Sequence, residues 1–318
     1  MTKPILLRAL YLGMVLAPPP AFAADLFLSP RLETQGGYEN NRLQESGGGT
    51  GSACWGGSSG LEMLLIGEQA EASLVLEYGR MQYEKEDLEY KEDGLLQARV
   101  RFLRGRNDFG ANAAAGFFND EALPENDAVF QQAEPYFVHS LATMSAEWML
   151  KGGWRRTDYA NSAYTSTPDR VDTVFSFRPE WRWHVSRRTS LWAEIMAEKN
   201  LSDAPEAEYA GFGGTLGGEF SPTAGLTLGG WFAYESRVYG EEVGDEAHRE
   251  TPLGLGGWVA YRIRPWLDVF TYARGESVSC TIEEDDYTAW NAGLGLRFIF
   301  EYAWQTRQSA WLYVRHRH

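Results

Sequence analysis

The chain is poor in the residues on which most protein chemistry depends. Its 318 residues include two cysteines, Cys54 and Cys280, and five histidines. Two of the histidines, His316 and His318, fall at the very end. No Cys/His metal cluster, phosphate-cradling loop or nucleotide motif is present, so the sequence implies no metal and no cofactor. Basic residues are scarce as well: 29 Lys and Arg against 44 Asp and Glu give a net charge of −15. That acidity argues against nucleic acid as a partner and against simple attraction to anionic headgroups. Also missing after the first two dozen residues is any apolar run near the roughly 20 residues that a helical span needs. If this chain lives in a membrane, it does so as strands.

The N-terminus reads as a secretory signal over residues 1–23. Lys3 and Arg8 form a positive region, residues 9–17 a short apolar core, and Ala21, Phe22 and Ala23 an A-x-A cleavage site. Arg8 and the three prolines at 18–20 make it a poor permanent anchor. Cleavage before Ala24 removes Lys3 and Arg8 and takes the charge from −15 to about −17. The residue directly after the cleavage site is Ala24 rather than a cysteine, so no lipid-modified terminus is expected.

What the chain does have is alternation. In residues 173–184, Phe175, Phe177, Trp181 and Trp183 share one face, while Ser176, Arg178, Glu180, Arg182 and His184 share the other. Segments of this kind recur to the C-terminus. The reading is fourteen strands near 26–40, 60–67, 72–83, 94–104, 110–118, 133–141, 146–158, 171–185, 190–199, 209–220, 226–239, 253–263, 266–279 and 287–300, with twelve or sixteen as alternatives. Glycine (34 of 318) and aromatics (14%) are abundant, while a mean hydropathy of −0.38 resembles that of a soluble protein. A transmembrane barrel has this composition because only every second strand residue meets lipid.

The connections decide between a sandwich and a barrel. Those after every even-numbered strand are short, at 68–71, 105–109, 142–145, 186–189, 221–225 and 264–265. The others are mostly longer and polar, as at 42–59, 119–132, 160–170 and 240–251. Turns at one end and loops at the other are how outer-membrane barrels are built. The expected architecture is a single all-β transmembrane antiparallel barrel over 24–302, without a plug. Residues 303–318 then form a periplasmic tail or an extra strand. The loops are acidic, as at 84–93, 120–127, 241–250 and 283–286; the turns lean basic, with Arg104, Arg106, Arg187, Arg188, Arg262 and Arg264. Solvation of the exposed ends explains the acids. Divalent cations bridging them to lipopolysaccharide phosphates are the sharper alternative, although no loop has a calcium-binding spacing.

With aromatics turned to lipid, the inward face carries the charge. Arg31, Glu33, Glu77 and Gln97 belong to it, as do Arg262 and Asp268. The pore-lining candidates on the earlier strands are Arg99, Arg101, Glu147, Lys151, Arg155, Arg178, Glu180 and Arg182. On the later strands they are Glu194, Glu198, Glu219, Glu235 and Arg297. Arginine predominates on strands four, seven and eight and glutamate on nine to eleven, an arrangement that implies a field across the lumen. Inward glycines at 211, 213, 217, 229, 254 and 256 leave one wall thin and favour a conducting pore. Tyr83, Trp154, Trp181, Trp183, Tyr239, Trp266, Tyr287 and Trp290 lie near strand ends, where interfacial girdles sit. Pro179, mid-strand, implies a bulge.

Catalytic signal is thin, and no enzyme is expected. His139 and Ser140 are adjacent on a strand and point to opposite faces; His184 and Ser186 share a face without a third group. The cysteines suggest a disulfide in an exported protein. Barrel closure strengthens this, by setting the first long loop near the outer end of strand thirteen.

Residues 29–41, with Gly37, Tyr38, Glu39, Asn40 and Asn41 in a G-Y-(D/E)-x-N pattern, resemble the opening strand of bacterial outer-membrane barrels. Such barrels accompany exopolysaccharide secretion or end surface-lipoprotein assembly modifiers. Residues 293–300 are similar to the final-strand signal read by the barrel assembly machinery, though the chain ends at His318 rather than on an aromatic. The resemblance implies a Gram-negative outer membrane, with lipid, lipopolysaccharide and that machinery as partners and a porin-like channel for small hydrophilic solutes or saccharides. A non-conducting scaffold or adhesin is the alternative, and a membrane hydrolase a remote third.

Overall fold

The computed structural model describes residues 25–40, 51–85, 90–141, 145–160, 170–243, 246–281 and 286–304. The signal-peptide reading over 1–23, and the tail beyond 304, lie outside the described residues.

Fourteen long strands form one antiparallel sheet in which each pairs with the next along the chain. They are β1 (Asp25–Asn40), β2 (Ser52–Ile66), β3 (Ala70–Tyr83), β4 (Tyr90–Arg104), β5 (Asn107–Asp120), β6 (Ala128–Leu141) and β7 (Ala146–Tyr159). The second half comprises β8 (Arg170–Ser186), β9 (Thr189–Ser202), β10 (Tyr209–Thr223), β11 (Leu226–Val243), β12 (Glu246–Arg264), β13 (Leu267–Cys280) and β14 (Tyr287–Ile299). β14 pairs back onto β1, from Arg31 opposite Ile299 to Asn40 opposite Trp290, and the barrel is closed. Closure removes the unpaired edge that an open sheet would present. No helix among the described residues is long and apolar enough to cross a membrane, and none of them fills the lumen; the helical pieces among these residues are 3-10 turns at Pro124–Asn126 and Pro205–Ala207.

The tail contributes a short strand, β15 (Tyr302–Trp304), which pairs with Leu26 to Leu28 of β1. Its register continues that of β14, so it prolongs the closing strand rather than adding a stave. The break between them falls opposite Pro30, which lacks a ladder N–H; the Phe300 amide still donates to the Pro30 carbonyl, at 3.0 Å.

Strand parity separates an apolar exterior from a polar lumen. Exposed outward residues include Leu294 (68%), Leu255 (63%), Phe212 and Leu216. Trp148, Trp181, Phe109 and Phe137 gather toward the short-turn end, where Phe137 packs on both Phe109 and Trp148. Trp181, Trp183, Trp266 and Trp290 are exposed on the outer face, the side on which a girdle would sit. Tyr83, Tyr239 and Tyr287 are not: parity turns them inward, and each hydroxyl donates to a carboxylate, of Glu39, Glu250 and Glu276 respectively.

Several boundaries differ from the sequence reading. β2 begins at Ser52, eight residues before the expected start, because its glycines and serines pair although they lack the strand signature. β11 and β12 reach Val243 and Glu246, so the expected loop at 240–251 is largely a hairpin. At 18 and 19 residues these strands far exceed the roughly 9–11 that a tilted strand needs to cross the hydrocarbon. Their outer ends therefore project beyond it. Pro179 causes no register shift: the ladder to β9 skips Arg178 and Pro179 and resumes in step, while Pro179 pairs Leu150 on β7.

The expected Cys54–Cys280 bridge is absent. Cys54 lies within β2, level with Gly37 on β1, Gly293 on β14 and Tyr272 on β13. Cys280 stands eight residues farther along β13, roughly 27 Å at strand rise. A disulfide needs Cα atoms no more than about 7 Å apart.

Candidate functional site in the lumen

The side chains of Arg99, Arg101, Glu147, Lys151, Arg155, Arg178, Glu180, Arg182, Glu194, Glu198, Glu219, Glu235 and Arg297 all fall on the lumen face by register. Their pairing differs from the expected separation of positive and negative walls. Lys151 on β7 lies 2.6 Å from Glu180 on β8 and 2.7 Å from Glu194 on β9. Arg182 meets the other oxygen of Glu180 at 2.9 Å. Arg178 reaches past β7 to Glu134 on β6 at 2.6 Å, and Asn112 donates to the second Glu134 oxygen at 3.1 Å. Charges neutralise neighbours along the wall, so the field is local rather than transverse.

The same holds near the short turns. Arg297 pairs with Glu33 across the closing seam at 2.8 Å, Arg262 with Asp268 at 2.9 Å and Arg31 with Glu62 at 2.5 Å. Arg101 pairs with Asp108 and Glu71. Arg155 and Glu219 are exposed on the inner face, and Arg182 keeps 44% and Arg297 38% of its side chain accessible. Water therefore reaches inward charges at several depths.

The glycines do not leave a thin wall. Gly217 on β10 sits between Trp192 on β9 and Trp231 on β11, and Trp231 is in turn opposite Gly256 on β12. One step along, Gly229 on β11 is opposite Trp258 on β12. Each indole lies over its neighbour's glycine: a Cβ at Gly217 would stand 2.3 Å from Trp192 Cζ2, and one at Gly256 2.8 Å from Trp231 Cε2. Only a residue without Cβ allows a ring to lie this close to the sheet. Tryptophan and glycine thus alternate, and three half-buried indoles pave the wall. The sequence reading turns the glycines inward and the aromatics to lipid; the structure turns these three indoles inward as well, and the register between strands sets them on the glycines.

Toward the loop end the same wall carries Tyr209 and Tyr239, with ring centroids 5.5 Å apart. Tyr209 donates to Glu198 at 2.6 Å and Tyr239 to Glu250 at 2.7 Å. Arg237 donates to both oxygens of Glu235, at 2.7 and 3.0 Å, and its guanidinium lies 5.2 Å from the Tyr209 ring centroid. An aromatic track therefore runs along β9–β12, flanked by carboxylates and a guanidinium. Such a surface offers flat apolar faces beside hydrogen-bonding groups.

The geometry offers no nucleophile–base pair at the histidines singled out. His184 lies 3.8 Å from Glu147. His139 faces outward, its Nδ1 2.7 Å from the Asn107 side-chain oxygen and its ring beside Trp148.

No protein-family model and no curated protein matches the chain. Solved structures do. OmpT of Vibrio cholerae with loop L8 deleted, described as an outer membrane protein, superposes with a TM-score of 0.52 at 13% identity, covering 87% of this chain and all of that one. In-vitro folded OmpT of Vibrio cholerae gives 0.52 at 12% identity, covering 89% of this chain and 99% of the other. The outer membrane channel DcaP of Acinetobacter baumannii gives 0.51 at 10%, covering 87% and 97%. Identities this low speak for the fold, and the fold agrees with the closed barrel and its apolar belt: the chain is a β-barrel of the outer-membrane type.

Proposed function

We propose that this barrel is a channel in the outer membrane of a Gram-negative bacterium, passing small hydrophilic solutes and, among them, saccharides. The observation that carries this reading is the track formed by Trp192, Trp231, Trp258, Tyr209 and Tyr239 on the lumen face, beside Glu198, Glu235 and Arg237. Sugars have apolar C–H faces and a rim of hydroxyls, and aromatic rings next to carboxylates and guanidinium match both. Solvent-accessible inward charges along the remaining wall support a water-filled path. The similarity to a structure described as an outer membrane channel agrees with it. A link to polysaccharide export rests on the first-strand resemblance. On this reading the chain's partners are membrane lipid and lipopolysaccharide outside the barrel, and the assembly machinery at β14.

The test is single-channel recording of the refolded barrel in planar bilayers. Discrete conductance steps, reduced in a concentration-dependent way by linear oligosaccharides, are the expected result. Folded, heat-modifiable protein that gives no steps in any salt would sink the channel reading and leave a non-conducting scaffold or adhesin.

A further inference from the structure

We propose that His248, Glu250 and Cys280 form a binding site for a single soft or borderline divalent cation, with zinc as the best fit. One ligand atom from each lies within 4.8 Å of the other two. The arrangement follows from register. His248 and Glu250 are two residues apart on β12 and so share its lumen face, and Glu250 is directly opposite Cys280 on β13.

The sequence hid this cluster because residues 240–251 read as an acidic loop. Once β11 and β12 extend to Val243 and Glu246, the two side chains acquire a common face beside the end of β13. The site lies at the loop end of the lumen, on the part of the hairpin that exceeds the span needed to cross the hydrocarbon, where an aqueous cation has access.

Three features beyond proximity point to a ligand. The Nε2 atom of His248 is buried and has no hydrogen-bond partner among the described residues, a costly state for an imidazole nitrogen. The Tyr239 ring stacks on the imidazole at 4.6 Å between centroids and an interplanar angle of 18°, which holds the ring plane. The hydroxyl of the same tyrosine donates to Glu250 at 2.7 Å and orients the carboxylate. Outer hydrogen bonds that fix first ligands are a regular part of metal sites. Cys280 is held at its backbone, where its amide donates to the Asp286 carboxylate.

Ligand chemistry selects the ion. Sulfur, imidazole nitrogen and carboxylate oxygen together suit zinc and its soft neighbours, whereas calcium and magnesium prefer oxygen alone. Zinc holds such atoms at about 2.0–2.3 Å, tetrahedrally; rotation about the side-chain bonds closes the remaining gap. Binding forms a metal–sulfur bond as the Cys280 S–H proton leaves to solvent, with no change of oxidation state. A thiolate and a carboxylate then neutralise the dication. Arg237 opposes binding from 3.8 Å away on Glu250, but its closer partner is Glu235 at 2.7 Å, which offsets its charge. Three protein ligands leave a fourth position open.

The experiment titrates the refolded full-length barrel with cobalt(II), whose absorption reports a thiolate ligand directly, and then competes with zinc. One equivalent should bind with a thiolate-to-metal charge-transfer band, and zinc should remove it. Cys280→Ser should abolish the band, Cys54→Ser should retain it, and His248→Ala should weaken binding at least tenfold. Heat-modifiable migration checks that each variant is folded. A band that survives Cys280→Ser, a band lost with Cys54→Ser, or no saturable binding overturns the proposal. If Cys280→Ser does not fold, alkylation of Cys280 in the Cys54→Ser chain decides it: zinc should slow the reaction at least tenfold, and an unchanged rate refutes the site.

Discussion

The indole of Trp258 lies on the backbone of Gly229, so near that a Cβ on that glycine would stand 2.0 Å from Cζ2. Gly229 cannot gain a side chain while the ring stays where it is. Gly229→Val should lift the ring off the wall and into the lumen, at a cost of about 1–3 kcal/mol for overpacking. Single-channel conductance should fall, and the double variant with Trp258→Ala should restore it. Unchanged conductance in Gly229→Val would mean that the indole does not border the conducting path.

Trp231 lies over Gly254 and Gly256 in the middle of the same track. Trp231→Ala should weaken oligosaccharide block roughly 2- to 10-fold, the range of about 0.5–1.5 kcal/mol that a good aromatic contact contributes. Phe212→Ala, on the lipid face, is the matched control and should leave block constants as they are.

Lys151 holds Glu180 and Glu194 together from three adjacent strands, and the Glu180 side chain is only 8% exposed. Lys151→Met leaves Glu180 with Arg182 alone. Unfolding in urea should show a loss of about 3 kcal/mol, the scale for breaking a buried pair, and reversal potentials should move toward cation selectivity. Arg155→Glu, at an exposed inward position, should shift selectivity in the same direction with little change in stability. A shift confined to Lys151→Met would argue that Arg155 lies away from the ion path.

Leu294 is 68% exposed on the outer face of β14. Leu294→Arg should cost about 2–4 kcal/mol of folding free energy in bilayers, the penalty for a cation near the midplane of the lipid face. Gln97→Arg, on the lumen face between Val75 and Ala114, should cost far less. Equal effects at the two positions would contradict the assignment of inside and outside.

Much of this was legible because strand parity is a local property. Phe175, Phe177, Trp181 and Trp183 share a face in any strand conformation, and so do Arg178, Glu180 and Arg182. The alternation of short turns with long loops then implied an even count and closure. Position along a strand is a weaker guide than parity: Tyr83, Tyr239 and Tyr287 lie near strand ends, where a girdle sits, yet each falls on the inward face.

The sequence by itself determined a closed antiparallel barrel with an even number of strands, its two faces and the membership of its charged lumen, because hydrophobic periodicity and turn chemistry act over a few residues; the closing pairs of β14 with β1 fix the number at fourteen. Only the tertiary structure decided which inward residues meet. The register between strands sets indoles on glycines, joins Lys151 to two glutamates, holds Cys54 away from Cys280, and brings His248, Glu250 and Cys280 together. Register depends on hydrogen bonds between segments that are distant in the chain at the closing seam, and on where each hairpin turns. The acidic residues 240–251 concealed one such turn, since pairing with a neighbouring strand outweighs low strand propensity.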